Sequence, residues 1–223
     1  MRYISLLNII LIADLLRIKI IFLVQEGFGG ILIRGIESMT DGKIIDGPCL
    51  SVNHILSLNG TDSIPEFVKG FDFSATNKSK LYIKPAEDLP KREIVKSARV
   101  GLAMKKKEAS QTLFVMKPYR YISLPAKIKK GKIHMCLALH IEGKTPQQIQ
   151  KITGAKIDTI NGWISLFRQG AKKKVKDFLG ITLDNDQICQ TIGAWAKEQK
   201  LIKVADAKED ATEDKSSDQE EEE

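Results

Sequence analysis

Cysteine and histidine are scarce in this chain, and the three cysteines lie far apart. Three cysteines and three histidines are spread over 223 residues. No two cysteines have CxxC spacing, and no histidine clusters with acids or cysteines at the spacing of a metal site. This pattern argues for a reducing compartment and against a disulfide framework, so we expect buried thiols and no metal or other cofactor.

Sequence motifs of enzymes are also missing. The chain contains no GxSxG sequence, no Walker sequence and no pair of carboxylates at catalytic spacing. The glycines at positions 27, 29 and 30 are expected to form a short turn, because the Lys-Ser/Thr that completes a phosphate-binding loop is absent. We therefore expect a protein that is not an enzyme. A nuclease with scattered acidic residues is the alternative.

A long uninterrupted apolar run is absent too, although residues 1–24 are unusually apolar. Asp14, Arg17 and Lys19 interrupt this segment, and no small-residue cleavage site follows it. Because a transmembrane helix needs about 20 residues nearly free of charge, we expect neither a signal peptide nor a membrane span. The segment instead predicts a buried or dimerising helix followed by a β-branched strand. A helix on a membrane surface is the alternative.

Positive charge dominates the chain except at its C-terminal end. Residues 205–223 contain ten acidic residues and two lysines, a formal charge of −8, which leaves +15 on residues 1–204 of a chain with net charge +7. A body this basic favours a polyanionic partner, with nucleic acid ahead of an anionic membrane. The acidic segment lacks large apolar groups and is predicted to be disordered.

These patterns predict an α+β fold in three parts. Residues 1–125 are expected to form a mixed, β-rich domain. Residues 126–204 are expected to form an all-α helix-turn-helix domain with an extra C-terminal helix, for which Asp184 or Asn185 provides the N-cap. Residues 205–223 complete the chain as the disordered acidic tail.

Shorter elements can be predicted within the first part. Alternation of apolar and polar residues predicts strand hairpins over residues 31–58, with a turn at 40–43. Residues 91–108 predict a helix, and two strands are expected on either side of Pro118. The inner stripe of the predicted helix consists of Ile94, Val95, Ala98 and Leu102.

The clearest helix signals lie between residues 132 and 176. An apolar helix is expected to end at Gly143. Thr145 then provides an N-cap, Pro146 suits the first helical position, and Gln148 completes a capping box. A short second helix is therefore predicted directly after this cap.

Gly154 is expected to end that second helix, because a helix C-terminus often requires positive φ. A third helix is predicted over residues 157–168, and Gly170 closes it. Its apolar residues are spaced three and four apart, as a buried stripe requires, and are Ile157, Ile160, Trp163, Ile164 and Phe167.

This arrangement resembles the homeodomain-like helix-turn-helix of bacterial transposases and related regulators. The resemblance covers about residues 132–176 and rests on Glu142, Gly143, Lys144, Thr145, Pro146, Ile149, Gly154, Ile160, Trp163, Phe167 and Gly170. Gln150 departs from the pattern, since a small residue is usual at its position. The resemblance implies a DNA-binding module without recombination chemistry, because too few residues follow Gly170 for a transposase catalytic domain.

We accordingly expect a protein that binds double-stranded DNA, either as a transcriptional regulator or as a mobile-element or phage factor, in the cytoplasm with the nucleoid. The third helix would enter the major groove. The candidate base contacts on its polar face are Lys156, Asp158, Thr159 and Asn161. The candidate phosphate contacts are Thr145, Arg168, Lys172, Lys173 and Lys174.

The residues leave two other functions open. Tyr119, Arg120 and Tyr121 interleave aromatic and cationic groups, which is typical of single-stranded nucleic-acid binders, with the β-rich half as the platform. The second alternative function is that of an assembly factor, which forms a homodimer or larger oligomer through its apolar first helix. The acidic tail either competes with DNA for the basic body or recruits a basic protein partner, and a membrane is the partner we expect least.

Overall fold

Two units of different construction make up the chain. The computed structural model describes residues 8–14, 17–24, 27–38, 40–69, 92–102 and 104–202. Contacts divide the chain into an N-terminal unit, Met1–Pro90, and a C-terminal unit, Lys91–Glu223. Helices occur together with small antiparallel sheets, which confirms the predicted α+β class. The predicted disorder of residues 205–223 falls outside the described residues.

The described residues of the N-terminal unit form five strands and two helices. They are β1 (Asn8–Asp14), β2 (Arg17–Val24), β3 (Gly27–Leu32), β4 (Gly35–Glu37), β5 (Ile44–Asp46), α1 (Pro48–Leu58) and α2 (Ile64–Val68). β1, β2 and β3 form an antiparallel sheet in sequence order, and β4 and β5 form a separate two-stranded sheet.

The first predicted element of this unit is wrong, because residues 8–14 form a strand and not a helix. Asp14 pairs with Arg17, so the end of β1 lies beside the start of the antiparallel β2. Both strands are rich in isoleucine, whose branched Cβ favours extended backbone. The strand predicted after the helix is confirmed as β2, but the turn predicted at Gly27, Gly29 and Gly30 is wrong, because these residues lie in β3.

The hairpin predicted around residues 40–43 is confirmed, since Glu37 of β4 pairs with Ile44 of β5. The strand predicted beyond it is wrong from Pro48 onward, where α1 begins. A proline at the first helical position lacks only an N–H that the helix would leave unpaired in any case. The core of this region consists of Val52, Leu56 and Phe67.

The described residues of the C-terminal unit form two short strands, five α-helices and two 3₁₀ turns. The strands and helices are β6 (Val95–Ser97), α3 (Thr112–Val115), β7 (Arg120–Ile122), α4 (Lys132–Ile141), α5 (Pro146–Thr153), α6 (Ile157–Gly170) and α7 (Asn185–Glu198). The 3₁₀ turns are Ala109–Gln111 and Val175–Phe178.

The helix predicted over residues 91–108 is wrong, because β6 lies within it and pairs with β7 in a two-stranded ribbon. Val95 pairs with Ile122, and both side chains are buried. Burial alternates along β6, as expected of a strand with one covered face. Ile94 and Leu102 of the predicted helical stripe are exposed. Four apolar residues in a short run fit the spacing of a helix or of a strand. Pairing with β7 determines that a strand forms here.

The ribbon belongs with the helices that follow it. Val95 and Ile122 share one buried cluster with Ile133 and Leu137 of α4. The division between the two units accordingly lies at residues 90 and 91, whereas the predicted domain boundary lies at 125 and 126. Of the two strands predicted around Pro118, the second is confirmed as β7, but the first is the helix α3.

The helices predicted beyond residue 131 are confirmed, and two glycines bring α6 and α7 into direct backbone contact. A Cβ atom on Gly170 would lie 2.0 Å from the carbonyl oxygen of Gln190. A Cβ atom on Gly193 would lie 2.0 Å from the carbonyl oxygen of Phe167. Neither glycine has a positive φ. Both are therefore required for close approach of the helices, which holds α6 in place.

Candidate nucleic-acid interface

The start of α5 is fixed by the predicted capping box. The Thr145 side-chain oxygen accepts a hydrogen bond from the backbone N–H of Gln148 at 3.3 Å. The Gln148 side chain accepts one from the backbone N–H of Thr145 at 2.9 Å. Gly154 ends α5 with φ 68°, in the left-handed region that suits glycine. Residues 154–156 then form the whole turn into α6.

Lys132 stabilises the C-terminal end of α5. Its ammonium group donates to the carbonyl oxygens of Pro125 at 2.9 Å and Ala126 at 3.2 Å, and also to that of Thr153. These bonds use all three donors of the group, and the last places its charge at the negative end of the α5 dipole. Burial lowers the pKa of Lys132. This lysine is therefore a structural group within the basic body.

The inner face of α6 packs on the other helices. Ile160, Ile164 and Phe167 are buried, as the apolar stripe predicted. The His140 ring of α4 meets the Phe167 ring edge to face, with 5.2 Å between centroids. Trp163 is partly buried against the same core. The rotation of α6 about its axis is thereby set, which determines the residues that it turns outward.

The outward face of α6 carries the predicted base contacts. Lys156, Asp158, Thr159 and Asn161 are all exposed. Gly162 lies on the same face, and a Cβ atom added there would meet nothing within 4 Å. A side chain introduced at this position would therefore project into open space.

A cleft of about 420 Å³ joins this face to the start of α5. Its lining includes Thr145, Asn161 and Arg168, three of the residues predicted to contact DNA. Lys144 and His140 also line it. The positive charges of Arg168 and Lys144 therefore lie in the same wall as the N-capping hydroxyl of Thr145. The Arg168 Nε atom is buried and has no hydrogen-bond partner among the described residues. This arrangement is suited to an anion, because such a ligand would satisfy the guanidinium.

The three lysines after α6 do not line this cleft. Lys172, Lys173 and Lys174 are exposed, as expected of phosphate contacts. The Lys173 ammonium group already donates to Gln190 Oε1 at 2.7 Å and lies 5.7 Å from the centroid of the Phe178 ring. The backbone N–H of Lys174 donates to the carboxylate of Asp177 at 2.9 Å. Lys173 would have to exchange its intramolecular contacts to reach a phosphate.

Lys144 and His140 were not among the predicted site residues. Lys144 directly precedes the N-cap, and a basic residue beside a helix start was the one signal that could have marked it. His140 lies in an apolar helix, and its sequence context gives no comparable signal. Only the packing of α4 against α6 brings it to the cleft.

Cys136 and Cys189 are buried as predicted. Burial raises the pKa of Cys136 and raises that of Cys189 to about 12, so both thiols stay protonated.

In the described ranges, no three His, Cys, Asp or Glu side chains lie together as a metal ion requires. No helix of the described part has the length and apolar content needed to span a bilayer.

Comparison with known proteins finds similarity to a viral protein. The chain is 34% identical over 104 residues to an uncharacterized protein of Acanthamoeba polyphaga mimivirus. The match covers 46% of this chain and 46% of that protein, so the chain matches about half the length of this relative. Neither a family model nor a solved structure matches the chain. The resemblance of residues 132–176 to transposase modules therefore stays a prediction.

Proposed function

We propose that the C-terminal unit binds double-stranded DNA, with α6 in the major groove. The observation that carries this proposal is the shared cleft of Thr145, Asn161 and Arg168. It places candidate phosphate ligands beside a candidate base ligand on one surface, as a helix lying in the groove between two phosphate backbones requires. The groove is about 12 Å wide and admits an α-helix.

The side chains of the outward face have suitable chemistry for base edges. The Asn161 amide can donate to and accept from an adenine edge at the same time, and the Thr159 methyl group can contact a thymine methyl. Asp158 can accept a hydrogen bond from the amino group of cytosine. Lys156, the N-cap of α6, stands at the end of the helix that usually reaches deepest into the groove.

The cleft provides the phosphate contacts of the proposal. Arg168 and Lys144 supply positive charge, and the start of α5 adds the positive end of a helix dipole beside Thr145. Contacts of this kind orient a protein on the duplex without reading its sequence. The exposed Lys172 and Lys174 extend the same charge beyond the end of α6.

Substitution of Gly162 tests this face without disturbing the fold. In Gly162→Glu, a carboxylate projects from an open position toward the proposed phosphate backbones, and we expect duplex affinity to fall at least about 10-fold. Gly162→Ala is the matched control and should keep wild-type affinity. Asn161→Ala should cost about 1–3 kcal/mol on a selected duplex site and relax the preference at one base pair.

Fluorescence anisotropy on selected and random duplexes measures both effects, and circular dichroism verifies that each variant is folded. Equal duplex affinity of Gly162→Glu and Gly162→Ala would mean that α6 does not face DNA. That result would exclude the proposed mode of binding even if the protein bound DNA through another surface.

A further inference from the structure

Exposed aromatic side chains are concentrated in one short stretch of the C-terminal unit. Among the side chains that the structure describes, the exposed aromatic residues are Phe114, Tyr119 and Tyr121, at 56%, 52% and 66% exposure. None of them fills the core, because β6 and β7 contribute Val95 and Ile122 to it and α3 contributes Val115. Aromatic rings presented to solvent in this way are available to a ligand.

Lysine ammonium groups lie over each of these rings. The Lys117 Nζ atom lies 5.3 Å from the Phe114 centroid and 6.0 Å from the Tyr119 centroid, so one cation joins two rings. Lys96 is the cross-strand partner of Tyr121, and its Nζ atom lies 5.9 Å from that ring. We call these five residues the aromatic ribbon.

The spacing of the rings follows from the strand. Tyr119 directly precedes β7 and Tyr121 lies two residues further on, on the face of the strand opposite the buried Ile122. Two residues of extended chain separate side chains by about 7 Å, which allows each ring to meet a different base. The segment that contains the ribbon is positively charged, since residues 92–130 include eleven basic and two acidic residues, a formal charge of +9.

We propose that the aromatic ribbon binds single-stranded nucleic acid, with unpaired bases stacked on the rings of Phe114, Tyr119 and Tyr121 and phosphates beside Lys96 and Lys117. Aromatic faces interleaved with lysines match a ligand that alternates flat rings and negative charges along one strand. A duplex does not fit, because its bases are already stacked on one another and offer only their edges. An uncharged apolar partner gives no account of the +9 charge.

This site is separate from the duplex site proposed for α6. The two surfaces share no residue, since the ribbon residues come from β6, α3, β7 and their flanks and the duplex contacts all lie between residues 144 and 174. Each proposal can therefore fail without the other. The Gly162→Glu variant should leave single-strand binding unchanged while it weakens duplex binding.

The test uses the full-length protein and a fluorescent oligothymidine. We expect the Tyr119→Leu/Tyr121→Leu variant, which keeps apolar bulk but loses both rings, to bind roughly 5- to 150-fold more weakly for each stacked base lost. The matched Tyr119→Phe/Tyr121→Phe variant keeps both rings and should bind like wild type. Neither variant removes a phosphate contact, so the slope of log affinity against log salt should not change.

The lysines should show the opposite behaviour. Lys96→Gln and Lys117→Gln should each lower the magnitude of that slope by about 0.7, the value for one phosphate contact on a single strand. Equal affinity of the Leu and Phe variants for oligothymidine would overturn the proposal. So would a wild-type protein that leaves oligothymidine unbound. Wild-type dimers that dissociate on the Leu substitutions, with oligothymidine binding unaffected, would identify the ribbon as a homotypic interface instead.

Discussion

The β6–β7 segment, residues 92–130, and the helical segment, residues 131–202, use aromatic residues and charge in opposite ways. All three aromatic residues of the first segment are exposed, whereas the four of the second, Trp163, Phe167, Phe178 and Trp195, are buried or partly buried. The formal charge is +9 on the first segment and +5 on the second. The helical segment thus packs its aromatic rings in or against the core, while the β6–β7 segment presents its own rings to solvent.

This difference separates stability from ligand contact. The α4–α7 core sets the position of α6, and a polar outward face is left for a partner. The β6–β7 segment contributes Val95 and Ile122 to that core, and the aromatic ribbon lies on its exposed side. Substitutions in the helical core should therefore change the free energy of unfolding, and substitutions on the ribbon should change affinity alone.

The largest expected effect concerns the crossing of α6 and α7. Gly170→Ala and Gly193→Ala each place a methyl group 2.0 Å from a backbone oxygen, so the helices must separate. We expect each to lower the free energy of unfolding by about 3 kcal/mol or more, at or above the usual cost of overpacking. Denaturant titration followed by tryptophan fluorescence measures this, because both tryptophans lie in this unit.

Gly162→Ala is the control for the glycine substitutions. The same change at an open, exposed helical position should stabilise the protein by about 0.5–1 kcal/mol, since glycine costs that much in a helix interior. If all three variants were equally stable, the backbone contact between α6 and α7 would not be a determinant of stability.

A smaller effect is expected at His134, where α4 meets the β6–β7 segment. Burial, with a further contribution from the Arg120 charge, lowers the pKa of His134 from 6.5 to about 4. Between about pH 6.5 and pH 4, the His134 imidazole is therefore protonated in the unfolded chain and neutral in the folded chain. Stability should fall by up to about 3 kcal/mol as the pH drops through this range.

The contribution of His134 is measured as a difference between two proteins. Chemical unfolding of wild type and His134→Gln between pH 7 and pH 4 isolates it, because the other titrating groups are common to both. The stability of wild type should fall more steeply in this range. Parallel curves for the two proteins would show that His134 is accessible to protons in the folded state.

Sequence patterns predicted the helical segment well because its signals reinforce one another. The stripe through Ile160, Ile164 and Phe167 extends over several turns, and the caps at Thr145 and Asp184 mark helix starts independently of it. In residues 92–122 the apolar runs are only a few residues long. Such runs fit a helix or a strand equally well, so β6 was predicted as a helix and α3 as a strand.

The candidate site was predictable only in part. The exposure of Asn161 follows from helical period once the buried stripe is known. The cleft depends on how α4 and α5 meet α6, and no local pattern encodes the position of Lys144 or His140 in it. The exposure of Phe114 likewise depends on tertiary packing, because an aromatic residue in an apolar run is usually buried.

Binding of Arg168→Gln to duplex DNA at increasing salt tests whether the cleft holds a DNA phosphate. Arg168 lines the cleft with an unpaired buried Nε atom, and Lys197 is an exposed lysine on α7 that does not line it. We predict that Arg168→Gln lowers the magnitude of the slope of log affinity against log salt by about 0.9, the value for one duplex phosphate contact. Lys197→Gln should leave the slope at its wild-type value. Identical slopes for the two variants would mean that the cleft holds no DNA phosphate.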